Sequence, residues 1–516
     1  MLSSYDIFFY QAAEVLTEGL IYLMVVFSPW AFGTTQDWSI WTMNVAGYAL
    51  GLLLSLKLAI RWFKGYHPPR WDASSLARIG REGDRRADEG AAVRGSRFVV
   101  SSPVVPLPST LPLTRILAVL TIVILAYCLV SSLNPRPLSL QTGEMNGYIR
   151  WLPSSVDPGR TRFFFWNYLA LACGFWGVWD WLAGMSAHEE RASLVRGEAR
   201  LPARLRRLLW VLCLNGGLLA AECIVQRLSH TSKLLWLVEP RIHKTAETQF
   251  GPYAYRSNGA QYLNLLWPVC LGFWGICHRA RGFRASAHHL LLACAAIMVA
   301  GAIIALSRAS IVVAVGLMLT AVPCLAMGYG DDRKPRREAG RSRFQTLGVM
   351  AAFAAVVLVL AFGLSWKQLK PRMNEFGEGL DGRLKLTAEG VAIAGDYQPW
   401  GCGPGTLSTV YGLYYPSPGS AWQLHDDWIE TLATFGWVGS AFVALSFLAV
   451  LARWFVLDGV FVDRRLVILI WLAIGGCLVQ AKVDFPLQIY SILFLFLVLC
   501  AILFTLSRRP LVRGSL

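Results

Sequence analysis

The chain contains 516 residues, of which 55% are hydrophobic and 16% are charged. A soluble domain of this length needs more polar surface, so the composition excludes an ordinary soluble protein. The formal net charge of +16 suggests an anionic partner such as nucleic acid, but the basic residues lie in short segments between apolar blocks, as orientation signals do. The sequence therefore predicts a polytopic membrane protein that has no nucleic-acid partner.

The apolar blocks, taken in chain order, predict an all-α fold. About twelve helical spans form a single transmembrane domain over residues 1–516, since about 20 apolar residues cross the hydrocarbon core. The predicted spans cover residues 8–28, 38–60, 113–133, 163–185, 208–226, 257–277, 288–306, 309–328, 346–365, 428–452, 466–481 and 487–506. The first block lacks a small-residue cleavage pattern, so we expect a retained span and not a signal peptide. Only Ser307-Arg308 separates the seventh and eighth spans, which indicates a tight hairpin or a re-entrant pair.

The loops between these spans alternate in basicity. One set carries nearly twice as many Lys and Arg as the other, and it comprises residues 61–112, 186–207, 278–287, 329–345, 453–465 and the tail from Ser507. Cytoplasmic loops are the more basic ones, so both termini are predicted inside, and the large loop 366–427 faces the periplasm of a bacterial plasma membrane. Residues 61–112 predict a flexible cytoplasmic loop, because they are rich in Arg, Gly, Ser, Asp and Pro.

The large outer loop holds several residues suited to chemistry. Residues 383–395 are predicted to form a short amphipathic helix along the surface. Gly401, Gly403 and Gly405 let the backbone turn sharply, and they also permit a ligand to come close. The residues alone leave both uses of these glycines open.

His425 ends this loop immediately before an apolar helix. The positive end of a helix favours anions and a neutral imidazole, which is then available as a base. Asp426 and Asp427 act in the opposite direction, because they stabilise the charged ring. The alternative is that Asp427 caps the helix with Glu430 and that His425 only lies at the membrane interface. The residues alone leave function and interface equally open.

Three arginines are candidates for binding an anion. Arg308 interrupts an otherwise apolar stretch, where a charge at mid-membrane costs about 2.5–3.5 kcal/mol, so a functional role is favoured over snorkelling. Arg256 opens the sixth span and Arg383 lies in the outer loop, although loop solvation is an alternative for both. Three guanidiniums at one face would match a diphosphate, because each offers a planar fork of donors. Asp484 is expected to pair with one of these arginines or, failing that, to begin a helix.

No metal or cofactor is predicted. The outer loops contain no D-x-D and no His/Asp cluster with the spacing of metal ligands. The 11 cysteines are scattered, almost all of them within apolar blocks, and no C-x-x-C occurs. They therefore indicate neither a disulfide framework nor a metal site. Arginines, and not a divalent cation, are expected to neutralise a phosphate-linked substrate.

Several motifs resemble, in the same order, those of the O-antigen ligase and O-antigen polymerase superfamily. They are Phe32-Gly33, Gly251-Pro252-Tyr253, Arg256-Ser257-Asn258-Gly259-Ala260, Ser307-Arg308, Gly382-Arg383, Gly401-Cys402-Gly403-Pro404-Gly405-Thr406, His425-Asp426 followed by Gly436 and Gly439, and Asp484-Phe485-Pro486-Leu487. The sequence departs from the pattern at Asp426, where Asn, Ser or Gln is usual, and at Thr434, where an acidic residue is common.

The resemblance implies an inverting membrane glycosyltransferase that moves a glycan from a polyprenyl diphosphate to the hydroxyl of a lipid or glycan acceptor on the periplasmic side. It implies that His425 is the general base and that Arg308, Arg383 and Arg256 hold the diphosphate. Supporting roles are expected for Asp426, Asp427, Asp484, Gly403 and Gly405. Four aromatic residues are expected either to stack on sugars or to form an interfacial belt: Tyr411, Tyr414, Tyr415 and Trp422.

The acceptor separates two forms of this activity. A ligase attaches the finished glycan to a lipid core, and a polymerase extends one lipid-linked repeat with another. The alternative of another class is a small-solute transporter, for which inverted repeats and ionisable groups near the membrane midplane are typical. We find no internal repeat in the sequence, and the unusual charges lie toward one face. A scaffold for envelope assembly is a third possibility.

Overall fold

A computed structural model of the protein describes residues 3–66, 68, 70, 111–137, 148–186, 189, 201–240, 242, 244–281, 286–326, 348–361, 363, 378–415, 423–456 and 464–506. Most of the predicted flexible loop 61–112 lies outside the described residues, as do Trp422 and parts of the predicted outer loop 366–427.

Within these ranges the chain is helical, and the predicted all-α fold is confirmed. The first helices are α1 Ser4–Trp30, α2 Asp37–Lys64, α3 Leu111–Leu133, α4 Pro158–Ala183, α5 Ala203–Leu228, α6 Arg256–Arg281 and α7 His289–Ile304. They are followed by α8 Arg308–Ala326, α9 Gly348–Ala361, α10 Glu378–Asp396, α11 Leu407–Tyr414, α12 Asp427–Val456, α13 Arg464–Ala481 and α14 Tyr490–Leu506. Short 3-10 turns lie at Phe32–Thr34 and Pro486–Gln488.

Each predicted span coincides with one of these helices. Among the residues that the structure describes, seven helices are long and apolar enough to cross a membrane, namely α1, α2, α3, α5, α8, α12 and α13. Shorter apolar helices are α7, α9 and α14. The protein is therefore a polytopic helical membrane protein, and the number of spans stays a prediction.

Two local features of the predicted architecture are present in the structure. The break between the seventh and eighth spans covers only three residues, from the end of α7 at Ile304 to the start of α8 at Arg308, and Leu306 within it has φ 56°. The predicted surface helix 383–395 is α10, which extends from Glu378 to Asp396.

Helix α6 lies at the centre of the described bundle. It packs against α5, α7, α8, α13 and α14, and its large side chains Trp267 and Trp274 are buried. Helix α14 is apolar on all sides and almost every residue in it is buried, as expected for a helix surrounded by others. Because α6 packs against α13, the residues at the start of α6 and the end of α13 are held close together.

A buried ion cluster joins α1, α2 and α4. It lies near the start of α5, whereas the loop that leads into α6 follows the other end of that helix. The Nζ atom of Lys57 lies 2.9 Å from Oε1 of Glu14 and 3.0 Å from Oδ2 of Asp180. The Asp180 side chain, only 1% exposed, also binds Arg61 at 2.7 Å and pairs with Arg70. Several cations share each carboxylate, so no charge in this cluster is left buried alone.

Candidate functional site

The loop before α12 ends in an unusual backbone conformation. His425 has φ 53°, a left-handed conformation that few non-glycine residues adopt. The next residue, Asp426, is the helix cap: its Oδ1 accepts from the backbone N–H groups of Trp428 at 3.2 Å and Ile429 at 3.1 Å. The alternative interpretation of the sequence made Asp427 the cap, and in the structure the cap is Asp426. Asp427 instead accepts from the backbone N–H of Leu487 at 2.8 Å, which ties α12 to the turn before α14.

His425 and Asp484 form a hydrogen-bonded pair. Nδ1 of His425 lies 3.1 Å from Oδ1 of Asp484, whose side chain is 0% exposed. Oδ1 of Asp484 also accepts from the backbone N–H of Phe485 at 3.1 Å, and Oδ2 accepts from the Ser257 hydroxyl. The imidazole, the hydroxyl and the peptide N–H thus bind the oxygens of Asp484, and the expected pairing with an arginine stays a prediction.

A buried cluster of hydroxyl and amide groups supports this carboxylate. The Ser307 hydroxyl donates to Oγ of Ser257 at 3.0 Å, and the Ser310 hydroxyl donates to Oγ of Ser307 at 3.1 Å. Nε2 of Gln480 lies 3.1 Å from Oγ of Ser257 and 3.0 Å from Oγ of Ser310. We call these four residues the serine cluster. It joins α6, the α7–α8 break, α8 and α13, and therefore fixes Asp484 relative to three helices.

Two aromatic rings enclose the imidazole. The Phe485 ring lies edge-on to His425, with centroids 4.8 Å apart, and the Tyr255 ring lies 6.0 Å away. Tyr255 and Phe485 stack on each other at 5.3 Å. The His425 side chain is 27% exposed, and its Nε2 has no hydrogen-bond partner among the described residues. One ring nitrogen is therefore anchored and the other is accessible.

Arg383 reaches this site from α10. Its Nη1 donates to the carbonyl oxygen of Val483 at 2.7 Å, next to Asp484. Burial raises the pKa of Tyr255, and so does the nearby Asp484 carboxylate. The guanidinium groups of Arg383 and Arg256 act in the opposite direction and lower that pKa. Both arginines therefore lie close enough to influence the ring that packs on His425.

The other two predicted arginines are the first residues of two helices that start near the His425–Asp484 pair. Arg256 begins α6, and its Nη1 donates to the carbonyl oxygen of Glu247 at 2.8 Å. Arg308 is half-buried and begins α8 between Ser307 and Ser310 of the serine cluster. The structure thus brings elements carrying all three arginines together at the His425–Asp484 pair.

The glycine run packs against protein and not toward His425. Gly401, Gly403 and Gly405 all have positive φ, at 77°, 112° and 78°. A Cβ atom on Gly403 would lie 2.6 Å from Oγ of Ser155, and one on Gly405 would overlap the Phe164 ring. The close approach that these glycines permit is therefore to neighbouring parts of the protein, to backbone atoms at Gly401 and to side chains at Gly403 and Gly405.

The site combines a histidine on a buried carboxylate with three arginines, of which two begin helices and one lies within α10. Residues 293–444 match the O-antigen ligase family model. The resemblance inferred from the motifs is confirmed over this part of the chain. No curated protein matches the chain.

The range that matches the family model contains only some of the residues of the site. It spans α7 to the middle of α12, and so includes Arg308, Arg383 and His425. Arg256 and Asp484 lie outside the matched residues and are contributed by α6 and by the segment between α13 and α14. The match covers less than a third of the chain, and over that part the sequence is similar to the O-antigen ligase family.

Sequence reasoning missed several residues that shape the ligase-like site. Tyr255 and Ser257 flank Arg256, so their proximity to a predicted arginine was an available signal. Gln480 is a polar residue in an apolar span, which also indicates a specific role. Lys482 gave no signal, yet its Nζ lies 2.5 Å from Oδ2 of the helix cap Asp426. Ser257 and Phe485 were noted only as parts of motifs.

The described ranges contain no obvious set of metal ligands. They contain no group of three or more His, Cys, Asp or Glu side chains placed to hold an ion. Cys402, the cysteine of the outer loop, is buried, and its burial raises the pKa of the thiol to about 12. The Thr406 hydroxyl donates to the same residue. Cys402 therefore belongs to the packing of the glycine run.

Replacing Gly405 by alanine is expected to destabilise the fold. The new methyl group meets the Phe164 ring, and φ 78° is unfavourable for alanine. We expect a loss of about 2–4 kcal/mol and a lower midpoint in thermal unfolding of the detergent-solubilised protein. The control is Gly412→Ala within α11, where an added Cβ has no atom within 4 Å. Equal midpoints for the two variants would contradict the packing argument.

Proposed function

We propose that the protein is a membrane glycosyltransferase that moves a glycan from a polyprenyl diphosphate donor to an acceptor hydroxyl. The observation that carries the proposal is the hydrogen bond of 3.1 Å between Nδ1 of His425 and the buried Asp484, with Arg383 bound to the adjacent carbonyl. The family match over residues 293–444 supports the same class of enzyme.

The hydrogen bond to Asp484 determines which nitrogen of His425 acts as the base. An ionised carboxylate only accepts hydrogen bonds, so the neutral ring carries its proton on Nδ1 and its lone pair on Nε2. Nε2 takes the proton from the acceptor hydroxyl while that oxygen attacks the anomeric carbon. Asp484 then stabilises the imidazolium that forms. Such a role requires an exposed Nε2, in agreement with the partly exposed ring.

The arginines act on the leaving group. As the new glycosidic bond forms, the bond between the anomeric carbon and the diphosphate oxygen breaks on the opposite face, so the configuration inverts. Negative charge grows on the departing diphosphate, and guanidinium groups are suited to stabilise it with paired hydrogen bonds. Arg383 and Arg308 are assigned to this role with Arg256. Arg308 also begins a helix, where the positive helix end favours an anion.

We place this reaction at the periplasmic face of a bacterial plasma membrane. The alternating basicity of the loops supports cytoplasmic termini and an outward-facing site. The polyprenyl chain would enter sideways from the lipid between the helices, and membrane lipids surround the protein. No cofactor is required, since the donor carries its own activated bond.

The proposal is tested by a transfer assay with purified protein in lipid nanodiscs. The donor is a purified polyprenyl diphosphate-linked glycan, and two acceptors are compared: a lipid core, as for a ligase, and a second lipid-linked repeat, as for a polymerase. We expect one acceptor to be glycosylated with release of free polyprenyl diphosphate in equal amounts. Absence of transfer to either acceptor, with donor bound, would contradict the proposed function.

Arg383→Ala is expected to reduce kcat/KM for the donor by about tenfold to a hundredfold. Hydrogen bonds to charged groups contribute about 1.5–3 kcal/mol, and this variant loses those made by one guanidinium. Arg383→Lys should recover part of the loss, because it restores the charge without the planar fork. The control is Arg206→Ala, an exposed arginine near the start of α5. An unchanged kcat/KM in Arg383→Ala would remove this residue from the donor site.

A further inference from the structure

An open cleft of about 470 Å³ lies between α10 and α11. This volume is within the range of about 300–1,000 Å³ typical of ligand sites. Its lining comes from one side of α10 and from the aromatic end of α11, and includes Gly382, Lys385, Glu389, Tyr411, Tyr414 and Tyr415. None of these residues takes part in the proton transfer proposed above.

Hydrogen bonds hold two of the three tyrosines in place. The Tyr411 hydroxyl donates to Oε2 of Glu389 at 2.6 Å, and the Tyr414 hydroxyl donates to Oδ2 of Asp396 at 2.7 Å. The Tyr415 ring lies 5.2 Å from Tyr411 and 6.3 Å from Tyr414, centroid to centroid. The cleft thus offers fixed aromatic surfaces, because the anchored rings restrict the movement of their neighbours.

The chemistry of the lining favours a neutral, hydroxyl-rich ligand. Lys385 and Glu389 contribute one charge of each sign, which does not suit a strongly charged ligand. Among the described residues of the lining, Leu386 is the only aliphatic side chain, so they offer little apolar surface to a lipid chain. Aromatic faces stack on the C–H side of a sugar ring, while the lysine and the carboxylate can bond its hydroxyl groups.

The cleft and the proposed transfer site are both built on α10. Gly382 lines the cleft, and the next residue, Arg383, binds the carbonyl of Val483 beside Asp484. Consecutive residues of α10 thus contribute to the cleft and to the proposed diphosphate site, so a sugar chain joined to a diphosphate at Arg383 would begin at the helix that lines the cleft. Tyr415 lies on the opposite wall, at the end of α11.

We propose that this cleft binds pyranose rings of the glycan substrate, with Tyr415 as a stacking surface and Glu389 as a partner for sugar hydroxyls. The assignment rests on the proposed function, since it supplies the sugar chain. The rings belong either to the glycan of the donor or to that of the acceptor, and both sources present the same chemistry.

The test measures sugar binding separately from transfer. The probe is the free oligosaccharide released by mild acid from the host's lipid-linked glycan, and its binding is followed by saturation-transfer-difference NMR. Tyr415→Ala should weaken binding about tenfold, as expected for loss of one aromatic contact. Tyr415→Trp should retain oligosaccharide binding, and Glu389→Gln should weaken it. The control is Tyr5→Ala in α1, where the side chain is 74% exposed, and it should have no effect on binding. Affinity for polyprenyl diphosphate alone should stay unchanged in all four, which also shows that they fold.

Several outcomes would overturn the assignment. They are absence of oligosaccharide binding by the wild-type protein, or wild-type affinity in both Tyr415→Ala and Glu389→Gln. In the transfer assay, a higher KM for the donor in Tyr415→Ala assigns the cleft to the donor glycan, and a higher KM for the acceptor assigns it to the acceptor. His425→Ala should still bind the oligosaccharide, so wild-type transfer by that variant would end the proposed function while leaving the cleft result intact.

Discussion

Replacing His425 by alanine is expected to lower the rate of glycan transfer by about 10²–10⁴-fold, the usual contribution of a general base. The variant should enter the membrane in normal amounts, because the ring is partly exposed and forms one hydrogen bond, to Asp484. The rate is measured with purified lipid-linked donor and the acceptor that the wild-type protein uses. Donor binding should be nearly unchanged, since His425 acts on the acceptor hydroxyl.

Two further variants separate loss of the base from strain in the backbone. Residue 425 has φ 53°, which asparagine tolerates better than alanine does. His425→Asn should therefore be as inactive as His425→Ala but better folded. His230 is an exposed histidine with φ 51° in another loop, and His230→Ala should transfer normally. Transfer at the wild-type rate by His425→Ala would remove the catalytic role and favour a transporter or scaffold instead.

The sequence was sufficient to predict the helices, because their signal is local. Blocks of apolar residues of membrane-spanning length coincide with helices throughout the described ranges, and the break at Ser307 is only three residues long. The number of spans does not follow from the same signal. Helices α4 and α6 carry polar and charged residues in apolar segments, and α7, α9 and α14 are short.

The contacts within the candidate site could not be predicted from the residues alone. Asp484 was expected to pair with an arginine because opposite charges attract. The sequence does not show that His425 and Ser257 form hydrogen bonds with its oxygen atoms. Those contacts depend on how α6 packs against α13. At the contact between Ser257 and Gln480, the two residues are 223 positions apart in the sequence. Likewise, a run of glycines indicates only that some group packs closely against the backbone. In the structure, the group that packs against Gly405 is the Phe164 ring.

The choice of helix cap shows a similar limit. Asp426 and Asp427 are adjacent carboxylates, and either can precede a helix. The left-handed conformation of His425 turns the chain so that Asp426 reaches the first N–H groups of α12, which leaves Asp427 to accept from Leu487. Residues of identical chemistry thus have different roles, according to where the backbone places each carboxylate.

Asp484→Asn is expected to reduce kcat by about 10³–10⁴-fold, as when an amide replaces the carboxylate behind a catalytic histidine. Oδ1 of Asp484 accepts from His425, and Oδ2 accepts from Ser257. If the new NH₂ group faces His425, it donates to Nδ1 and the proton moves to Nε2, which can then no longer act as a base. If it faces Ser257, the imidazolium lacks its counter-charge. The donor KM should stay close to the wild-type value.

The same substitution at a neighbouring carboxylate provides the control for Asp484→Asn. Asp426 also lies beside His425 and is buried, but it caps α12, and asparagine is as good a cap as aspartate. Asp426→Asn should therefore change kcat only a few-fold, through loss of the ion pair with Lys482. If both variants lost kcat equally, the local charge around His425 would matter more than the orientation of its ring. If Asp484→Asn kept full activity, His425 would not need the carboxylate to act as the base.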